Sequence, residues 1–336
     1  MLVARTDSDG DVLLAGPAVR AVAAHASVTM LVSPAGEQAA RLLPGVDEVV
    51  VWCVPWIDPQ PPPVDRADVD ALVKDLAAAR FDEAVIFTSF HQSALPLALL
   101  LRLAGVPHVA AISEDYPGSL LDVRHRVDDE DLPEPERALS LANAAGYRLP
   151  PGDDGRLRLR DPLAEVSALA PDGGYVVVHP GASVAARACP PPLCRSFVAA
   201  LAGAGYRVLV TGGDGERELT AYVATAGGTD LGGRTSLAEL AAVLAGARAA
   251  VVANTGPAHL AAAVGTPVVS LFAPTVPFTR WGPYGVPTVR LGDQDAPCRG
   301  SRAAVCPVPG HPCLSTVDPG AVVAAVRTLT TAGSRA

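Results

Sequence analysis

Three turns built from small and hydroxyl-bearing residues stand out in the second half of the chain, because each joins a predicted strand to a predicted helix. In order they are His179-Pro180-Gly181-Ala182-Ser183, Thr211-Gly212-Gly213-Asp214-Gly215-Glu216 and Asn254-Thr255-Gly256-Pro257-Ala258-His259. Such turns present the first N–H groups of a helix, whose partial positive charge attracts phosphate oxygens. Arg187 adds a charged donor. The pattern favours a phosphate-binding site, although for any single turn the alternative is a tight connection without a ligand.

Three alternating aspartates follow the predicted strand Leu2–Arg5, within Thr6-Asp7-Ser8-Asp9-Gly10-Asp11. A calcium loop is excluded, because Val12 and Ala18 stand where it would need Gly and Glu. An Asp-x-Asp manganese site stays open, as does a capping role at the start of the next helix. A carboxylate at the end of a first strand is equally suited to act as a general base.

The number of lysines excludes several classes of enzyme that depend on a lysine side chain. Lys74 is the only lysine, so the chain has neither a Gly-Lys-Ser/Thr phosphate-binding loop nor a Tyr-x-x-x-Lys pair. Lys74 also lies on the polar face of a predicted helix, which is a poor place for a Schiff base.

Cys298, Cys306 and Cys313 with His311 could form a zinc site, but they lack Cys-x-x-Cys spacing. Reduced, partly buried thiols are the simpler expectation, and the role of these cysteines stays open.

These residues must be positioned by strands and helices that alternate along the chain. Apolar runs rich in Val and Ile predict strands at Leu2–Arg5, Val28–Val32, Glu48–Trp52, Ala84–Thr88, Val109–Ile112, Tyr175–His179, Arg207–Thr211, Ala249–Ala253 and Pro267–Phe272. Stretches rich in Ala and Leu predict helices at Val12–Ala24, Ser93–Ala104, Pro192–Ala202, Glu216–Ala226, Leu237–Ala245 and Pro257–Val264. This alternation predicts an α/β fold with parallel sheets covered on both faces. In such sheets ligands bind beyond the carboxyl ends of the strands.

The Pro- and Gly-rich stretch Leu149–Pro171 interrupts this alternation and predicts a domain boundary. We expect two Rossmann-like domains, residues 1–160 and 171–336, which face each other across a cleft. Residues 1–150 contain 11 basic and 22 acidic residues, a net charge of −11, whereas residues 151–336 contain 15 and 13, a net charge of +2. Neither half has the clustered basic charge of a nucleic-acid-binding protein.

Composition also predicts where the protein works. No run of eighteen apolar residues is present, and the N-terminus lacks the pattern of a signal peptide. Six cysteines in such a chain indicate reduced thiols. We therefore expect a cytoplasmic protein without integral membrane association.

Taken together, the motifs make the chain resemble glycosyltransferase family 9, the ADP-heptose heptosyltransferases of the GT-B fold. The resemblance covers nearly the whole chain and is strongest from Tyr175 to Gly285. It is carried by Gly10-Asp11-Val12-Leu13 with Pro17, His179-Pro180-Gly181-Ala182-Ser183, Leu231-Gly232-Gly233-Arg234-Thr235-Ser236-Leu237-Ala238-Glu239-Leu240, Asn254-Thr255-Gly256-Pro257-Ala258-His259-Leu260-Ala261-Ala262-Ala263, Gly265-Thr266-Pro267-Val268-Val269 and Arg280-Trp281-Gly282-Pro283-Tyr284-Gly285.

The resemblance implies an inverting, metal-independent glycosyltransferase that uses no cofactor and moves heptose from ADP-heptose to an acceptor hydroxyl. It implies that Asp11 is the base, that the N-terminal domain binds the acceptor and that the C-terminal domain binds the nucleotide sugar. The implied donor contacts are Ser183 and Arg187 to the diphosphate, Glu216 to the ribose, and the turn of Asn254, Thr255, Gly256 and His259. Gly10, Gly181, Gly212 and Gly213 would support the loops.

Two positions depart from the family pattern, since Asn254 replaces an aspartate and Cys189 replaces a tryptophan. Both bear on the identity of the donor sugar more than on the reaction. The acidic first half, with Asp128-Asp129-Glu130-Asp131, predicts a soluble acceptor that is neutral or cationic rather than anionic. The alternative is that this excess acid is a solvated surface. Two other functions stay open: a nucleotide-sugar 2-epimerase of the same fold, and a non-catalytic protein that binds sugar nucleotides.

Overall fold

The structure is a computed structural model, and it describes residues 1–129, 131–171 and 174–332. The chain divides into two compact units, Met1–Arg160 and Asp161–Ala336. Glu130 of the acidic segment, and residues 172, 173 and 333–336 of the predicted second domain, lie outside the described residues. None of the helices in the described ranges has the length and apolar character needed to cross a membrane.

Unit 1 is built on a parallel sheet flanked by helices. Its strands, within the described residues, are β1 Leu2–Ala4, β2 Val28–Val32, β3 Val46–Val51, β4 Glu83–Ile86, β5 His108–Ile112 and β6 Val123–His125. Its helices there are α1 Asp9–Leu14, α2 Gly16–Ala23, α3 Glu37–Leu42, α4 Arg66–Ala79, α5 Leu95–Leu103 and α6 Glu134–Ala144. β1 lies in the middle of the sheet and is completely buried, as its apolar residues predict.

Unit 2 repeats this plan. Its strands in the described ranges are β7 Tyr175–His179, β8 Arg207–Val210, β9 Gly228–Asp230, β10 Ala247–Ala253, β11 Val268–Leu271 and β12 Thr288–Leu291. Its helices in the same ranges are α7 Pro191–Gly203, α8 Arg217–Ala224, α9 Leu237–Ala245, α10 Gly256–Ala263, α11 Phe278–Trp281, α12 Pro312–Ser315 and α13 Pro319–Ala332. β7 is buried over its whole length, because helices cover both faces of the sheet.

The two sheets share one strand order. In unit 1 it is β3-β2-β1-β4-β5-β6, and in unit 2 it is β9-β8-β7-β10-β11-β12, with parallel pairing throughout the described residues. The first strand of each unit therefore lies beside the fourth, at the point where the order reverses. Ligands of open parallel sheets bind at this point, beyond the carboxyl ends of the strands.

The structure corrects the predicted helix Val12–Ala24, which is two helices. α1 begins at Asp9 and ends at Leu14, and α2 begins at Gly16. Pro17 explains the break, since it lacks an N–H and its ring would clash with the carbonyl of the preceding turn. As a consequence, Asp11 lies in the first turn of α1 and not in a loop before it.

Strands β6, β9 and β12 were not predicted from the sequence. β6 and β9 have three residues each, and all three strands lie at the edge of a sheet. Edge strands are short and carry polar residues, so they lack the continuous apolar run that predicts a buried strand.

Candidate functional site

The loops after β1 and β4 of unit 1 meet at the place where the strand order reverses. Arg5, directly after β1, is buried and its Nε forms an ion pair with Asp7 Oδ2 at 2.8 Å. Its Nη2 donates to Asp11 Oδ1 and to Ser89 Oγ, both at 3.0 Å. Ser89 follows β4, and Gln92 from the same loop donates to Asp7 Oδ1. One guanidinium thus links two loops and two carboxylates.

Asp11 is the carboxylate of this group that reaches solvent, since 20% of its side chain is exposed. Its Oδ1 accepts from Arg5, and its Oδ2 accepts from Ser8 Oγ at 2.8 Å. A carboxylate oxygen has two lone pairs, so both oxygens can still accept a proton from a ligand. The geometry therefore presents a fixed and accessible carboxylate, which is what a general base requires.

The other two aspartates have different partners. Asp9 Oδ1 accepts from the backbone N–H of Ala39 at 2.9 Å, so it caps the first turn of α3. Burial raises the pKa of the Asp7 carboxyl, and the charge of Arg5 opposes this rise. The expected cap at the start of α1 is therefore absent among the described residues, since Asp9 binds α3 instead, whereas Asp7 and Asp11 belong to the Arg5 group.

Glu134, at the start of α6, brings a third carboxylate to Arg5. Its Oε2 lies 4.0 Å from Arg5 Nη1 and 3.8 Å from Arg137 Nη1. Arg137 Nη1 in turn donates to the carbonyl of Thr88, after β4, at 2.6 Å. Burial lowers the pKa of Arg5, but the carboxylates of Asp7, Asp11 and Glu134 raise it above its ordinary value, so the guanidinium stays charged.

Four residues of this group were not predicted from the sequence as site residues: Arg5, Ser89, Gln92 and Glu134. For Arg5 a signal was present, because a cation at the end of an apolar central strand must find a partner when it is buried. For the other three the sequence offers no signal, since they come close to Asp11 only through the order of the strands.

In unit 2 the three predicted turns follow β7, β8 and β10, which are neighbours in the sheet. The Oε2 of Glu216 accepts from the N–H of Gly213 in the same turn at 2.8 Å, and its carboxylate lies against Gly181 of the first turn. A Cβ on Gly181 would overlap the Glu216 carboxylate, and a Cβ on Gly212 would lie 2.6 Å from Thr220 Cγ2. The structure thus brings Gly181, Gly212, Gly213 and Glu216 together, and 29% of the Glu216 side chain remains exposed.

His179, the last residue of β7, completes this cluster and was not selected as a site residue. Its Nε2 lies 3.6 Å from Glu216 Oε2, and its Nδ1 lies 3.1 Å from Thr211 Oγ1. Burial lowers the pKa of His179, and the Glu216 carboxylate opposes that effect. The signal in the sequence was its place at the end of a strand, directly before Pro180-Gly181.

The third turn holds Asn254 and Thr255 and leads into Gly256, the first residue of α10. Thr255 is the residue before the helix and is half-exposed like Gly256, so the N-terminus of α10 is accessible. Asn254 is only 4% exposed, and its Oδ1 and Nδ2 have no hydrogen-bond partner among the described residues. Buried polar atoms are normally satisfied, so such an amide is suited to contact a polar ligand. His259 is buried in the first turns of α10.

Ser183 and Arg187 lie in the loop between β7 and α7. Ser183 is exposed and Arg187 is half-buried, in a short 3-10 helix. The middle residue of this helix, Ala186, donates its N–H to the carbonyl of Ala304 at 3.0 Å. The imidazole Nε2 of His311 lies 3.1 Å from the Ala186 carbonyl. The segment that contains the C-terminal cysteines therefore supports the Arg187 loop.

The cysteines are free thiols in the described part of the chain. Cys298 and Cys313 are buried in the core of unit 2, and Cys306 Sγ donates to the Val308 carbonyl at 3.5 Å. Burial raises the pKa of Cys313 to about 11. Across residues 1–129, 131–171 and 174–332, no group of three or more His, Cys, Asp or Glu side chains could hold a metal ion. Cys298, Cys306, Cys313 and His311 are therefore not clustered as the ligands of a metal ion would be.

Comparison with solved structures defines the class of fold. The structure of E. coli ADP-heptose LPS heptosyltransferase II matches with a TM-score of 0.76 and 19% identity, over 99% of both chains. E. coli heptosyltransferase WaaC, solved with ADP-2-deoxy-2-fluoro heptose, matches with a TM-score of 0.70 and 21% identity, over 99% of both chains. The chain therefore has the two-sheet α/β fold of the GT-B heptosyltransferases.

The sequence identifies the family within that class. The model of glycosyltransferase family 9 (heptosyltransferase) matches residues 69–310, so the chain belongs to this family. Lipopolysaccharide heptosyltransferase 1 of Pseudomonas aeruginosa is 40% identical over 171 residues, which are 48% of this chain and 45% of that relative. The chain thus matches less than half the length of the curated relatives. The predicted resemblance is confirmed.

Proposed function

We propose that this protein is an inverting, metal-independent glycosyltransferase that moves heptose from ADP-heptose to an acceptor hydroxyl. The observation that carries the proposal is the Asp11 carboxylate, held by Arg5 and Ser8 and accessible at the place where ligands of such sheets bind. The acceptor oxygen attacks the anomeric carbon while the bond from that carbon to the diphosphate breaks. The acceptor proton goes to Asp11, and ADP leaves from the opposite face.

In this proposal unit 2 binds the nucleotide sugar. The N-terminus of α10 and the turns after β7 and β8 offer N–H groups to the diphosphate, and Ser183 and Arg187 add side-chain donors. These groups stabilise the negative charge that grows on the leaving diphosphate. Glu216 accepts from ribose hydroxyls, and the buried amide of Asn254 contacts the sugar. Because an amide both donates and accepts, Asn254 would recognise hydroxyls differently from the carboxylate usual in the family.

The first test of this proposal is a thermal-shift comparison of ADP, UDP and GDP, followed by measurement of ADP release from ADP-heptose. A ligand that binds only the folded protein raises its melting temperature, so ADP should produce the largest shift. ADP release should be unchanged by EDTA, because the proposed charge stabilisation comes from Arg187 and helix N-termini. Equal shifts from all three nucleotides, or no ADP release, would refute the ADP-heptose assignment.

We further propose that unit 1 binds a soluble acceptor that is neutral or cationic. The loop after β5 exposes Glu114, Asp115 and Tyr116, the last at 85%, and the loop after β4 exposes Phe90 at 38%. Arg5 is already engaged by carboxylates, and Arg124 donates to the carbonyls of Ser113 and Glu114. Carboxylates pair with ammonium groups, and exposed aromatic faces also attract cations.

Three matched sugars test the acceptor class: glucosamine, glucose and glucuronate, which differ mainly in charge. With ADP-heptose as donor, glucosamine should give the highest rate of ADP release at low ionic strength and glucuronate the lowest. The difference should shrink as salt screens the charges. If glucuronate is preferred at low ionic strength, the acidic surface only keeps the protein soluble and the proposed acceptor class is wrong.

A further inference from the structure

We propose that Arg5 and Ser8 are positioning residues that together fix the Asp11 carboxylate in the orientation needed for proton transfer. This inference rests on the proposed role of Asp11 as the base. It goes further because it assigns Asp11 two partners, one buried and one exposed, with different expected effects on the rate.

The guanidinium of Arg5 is locked by its other contacts. Nη2 carries two hydrogens, one directed at Asp11 Oδ1 and one at Ser89 Oγ, each at 3.0 Å. On its other side, Nε is paired with Asp7 Oδ2 at 2.8 Å. A guanidinium is planar and its donors point in fixed directions. Arg5 therefore cannot turn away from Asp11 without breaking contacts to both the β1 loop and the β4 loop.

Ser8 holds the second oxygen of the carboxylate. It is the residue before α1, where a serine side chain usually accepts a hydrogen bond from a backbone N–H of the first turn. Ser8 makes no such bond here, and its Oγ donates to Asp11 Oδ2 at 2.8 Å. The hydroxyl is thus directed to the side chain of Asp11 and not to the helix backbone.

The charges around Arg5 agree with this role. Asp7, Asp11 and Glu134 all face one guanidinium, and Arg137 supplies the second cation, next to Glu134. Asp7 and Glu134 are nearly covered, whereas Asp11 is partly exposed. The buried carboxylates hold Arg5 in place, and Arg5 holds the carboxylate that a substrate can reach.

The experiment compares Arg5→Lys with Arg20→Lys. Both arginines are buried in unit 1 and paired with aspartates, since Arg20 Nε lies 2.7 Å from Asp153 Oδ2. Lysine keeps the charge but loses the forked donors. With ADP-heptose as donor, Arg5→Lys should lower kcat for ADP release by about tenfold or more, with little change in the KM for ADP-heptose. Arg20→Lys should lower the melting temperature and leave kcat near that of the wild type.

Ser8→Ala is the second variant. Because Ser8 is exposed, the substitution does not disturb the packing of the core. It should lower kcat by about threefold to tenfold, as expected for the net loss of one solvent-exposed hydrogen bond, again with little change in KM. Ser8→Thr retains the hydroxyl and should restore most of the rate.

Each outcome separates this inference from the proposed function. If Asp11→Asn loses activity while Arg5→Lys and Ser8→Ala keep the wild-type kcat, the positioning role is wrong and the transferase proposal stands. If Arg20→Lys loses as much kcat as Arg5→Lys, the effect is one of general stability and the inference fails. If Arg5→Lys does not fold, Ser8→Ala decides by itself. Failure of the wild type to release ADP from ADP-heptose would overturn both proposals.

Discussion

Unit 1 and unit 2 have sheets with the same strand order, yet the carboxyl edges of the two sheets carry different chemistry. At the edge of unit 1, Arg5, Asp7 and Glu134 form a buried charged group around the accessible Asp11. At the edge of unit 2, glycines of the turns after β7 and β8 pack against the single carboxylate of Glu216. One topology therefore supports two kinds of site.

The difference shows what each kind of residue contributes. Charged side chains that are buried must be paired, and the pairing fixes their orientation, which suits a group that takes part in a reaction. Glycines let backbone and side chains approach closely, which leaves N–H groups accessible to a ligand. The strand order determines where a ligand binds, and the residues of the loops determine what happens to it.

The largest expected effect comes from Asp11→Asn, which should lower turnover, assigned to the edge of unit 1, without weakening ADP binding, assigned to the edge of unit 2. Loss of a general base lowers turnover by about 10²–10⁴-fold, so kcat for ADP release should fall within that range. ADP should still stabilise the variant as it does the wild type, because ADP binding is assigned to unit 2.

Asp9→Asn is the matched control for that change, since Asp9 lies two residues earlier in the same helical turn. An amide oxygen can still accept from Ala39 N–H, so kcat should stay within about threefold of the wild type, a change of less than about 1 kcal/mol in the barrier. Equal losses of kcat in Asp9→Asn and Asp11→Asn would indicate a structural effect on α1. The edge of unit 1 could then no longer be assigned the reaction.

Gly181→Ala tests the other edge and should weaken binding without removing the base. The new Cβ would overlap the Glu216 carboxylate and displace it from Gly213 N–H. The dissociation constant for ADP, measured by calorimetry, should rise about tenfold, which corresponds to about 1.4 kcal/mol.

Gly203→Ala, at the end of α7, is the control for that substitution. A Cβ there meets no atom within 4 Å, so the variant should keep the ADP affinity and gain about 0.5–1 kcal/mol of stability. An unchanged affinity in Gly181→Ala as well would mean that Glu216 does not contact the nucleotide.

The smallest expected effect concerns the stability of unit 1 alone. Asp153 forms two hydrogen bonds with Arg20, at 2.7 and 2.9 Å, which lower the pKa of its carboxyl to about 2. Because this pKa is below its unfolded value, the pair stabilises the folded state above about pH 4, and the contribution is lost as pH falls toward about 2. Asparagine keeps one acceptor oxygen for Arg20 but loses the charge, so Asp153→Asn should lower the free energy of unfolding at pH 7 by about 1 kcal/mol.

Urea unfolding at pH 7 and near pH 2 measures this difference, and hydrogen exchange assigns it to a unit. Exchange should become faster in the strands of unit 1 and stay unchanged in those of unit 2. Asp154→Asn is the control, since Asp154 pairs with the exposed Arg158 and should show no measurable change. A constant difference between Asp153→Asn and the wild type from pH 7 to pH 2 would contradict the pKa assignment.

Much of the fold could be predicted because parallel strands have a simple signature. β7, with three consecutive valines, is buried on both faces, so its apolar run has a single interpretation. The edge strand β9, Gly228-Thr229-Asp230, has no such run, and its pairing with β8 is a property of the sheet. The break between α1 and α2 was predictable from Pro17, but the apolar pattern on both sides concealed it.

The candidate sites were likewise predictable from the sequence only in part. Local patterns were enough for the turns after β7, β8 and β10, because a glycine turn before a helix is encoded within a few residues. They were also enough to select Asp11. They did not reveal that Glu216 contacts His179 as well as Gly213, because 36 residues lie between His179 and Glu216 in the chain.

Composition, periodicity and short motifs were sufficient to predict the alternation of strands and helices and the family resemblance, and to select Asp11 as a candidate base, since each depends on neighbouring residues. The partners of Asp11 were decided by the tertiary structure. Ser89 is 84 residues from Arg5 in the chain, and they meet because β4 pairs with β1 at the centre of the sheet. A buried charged group pairs with polar groups that the fold places within about 3 Å of it, whatever their separation along the sequence.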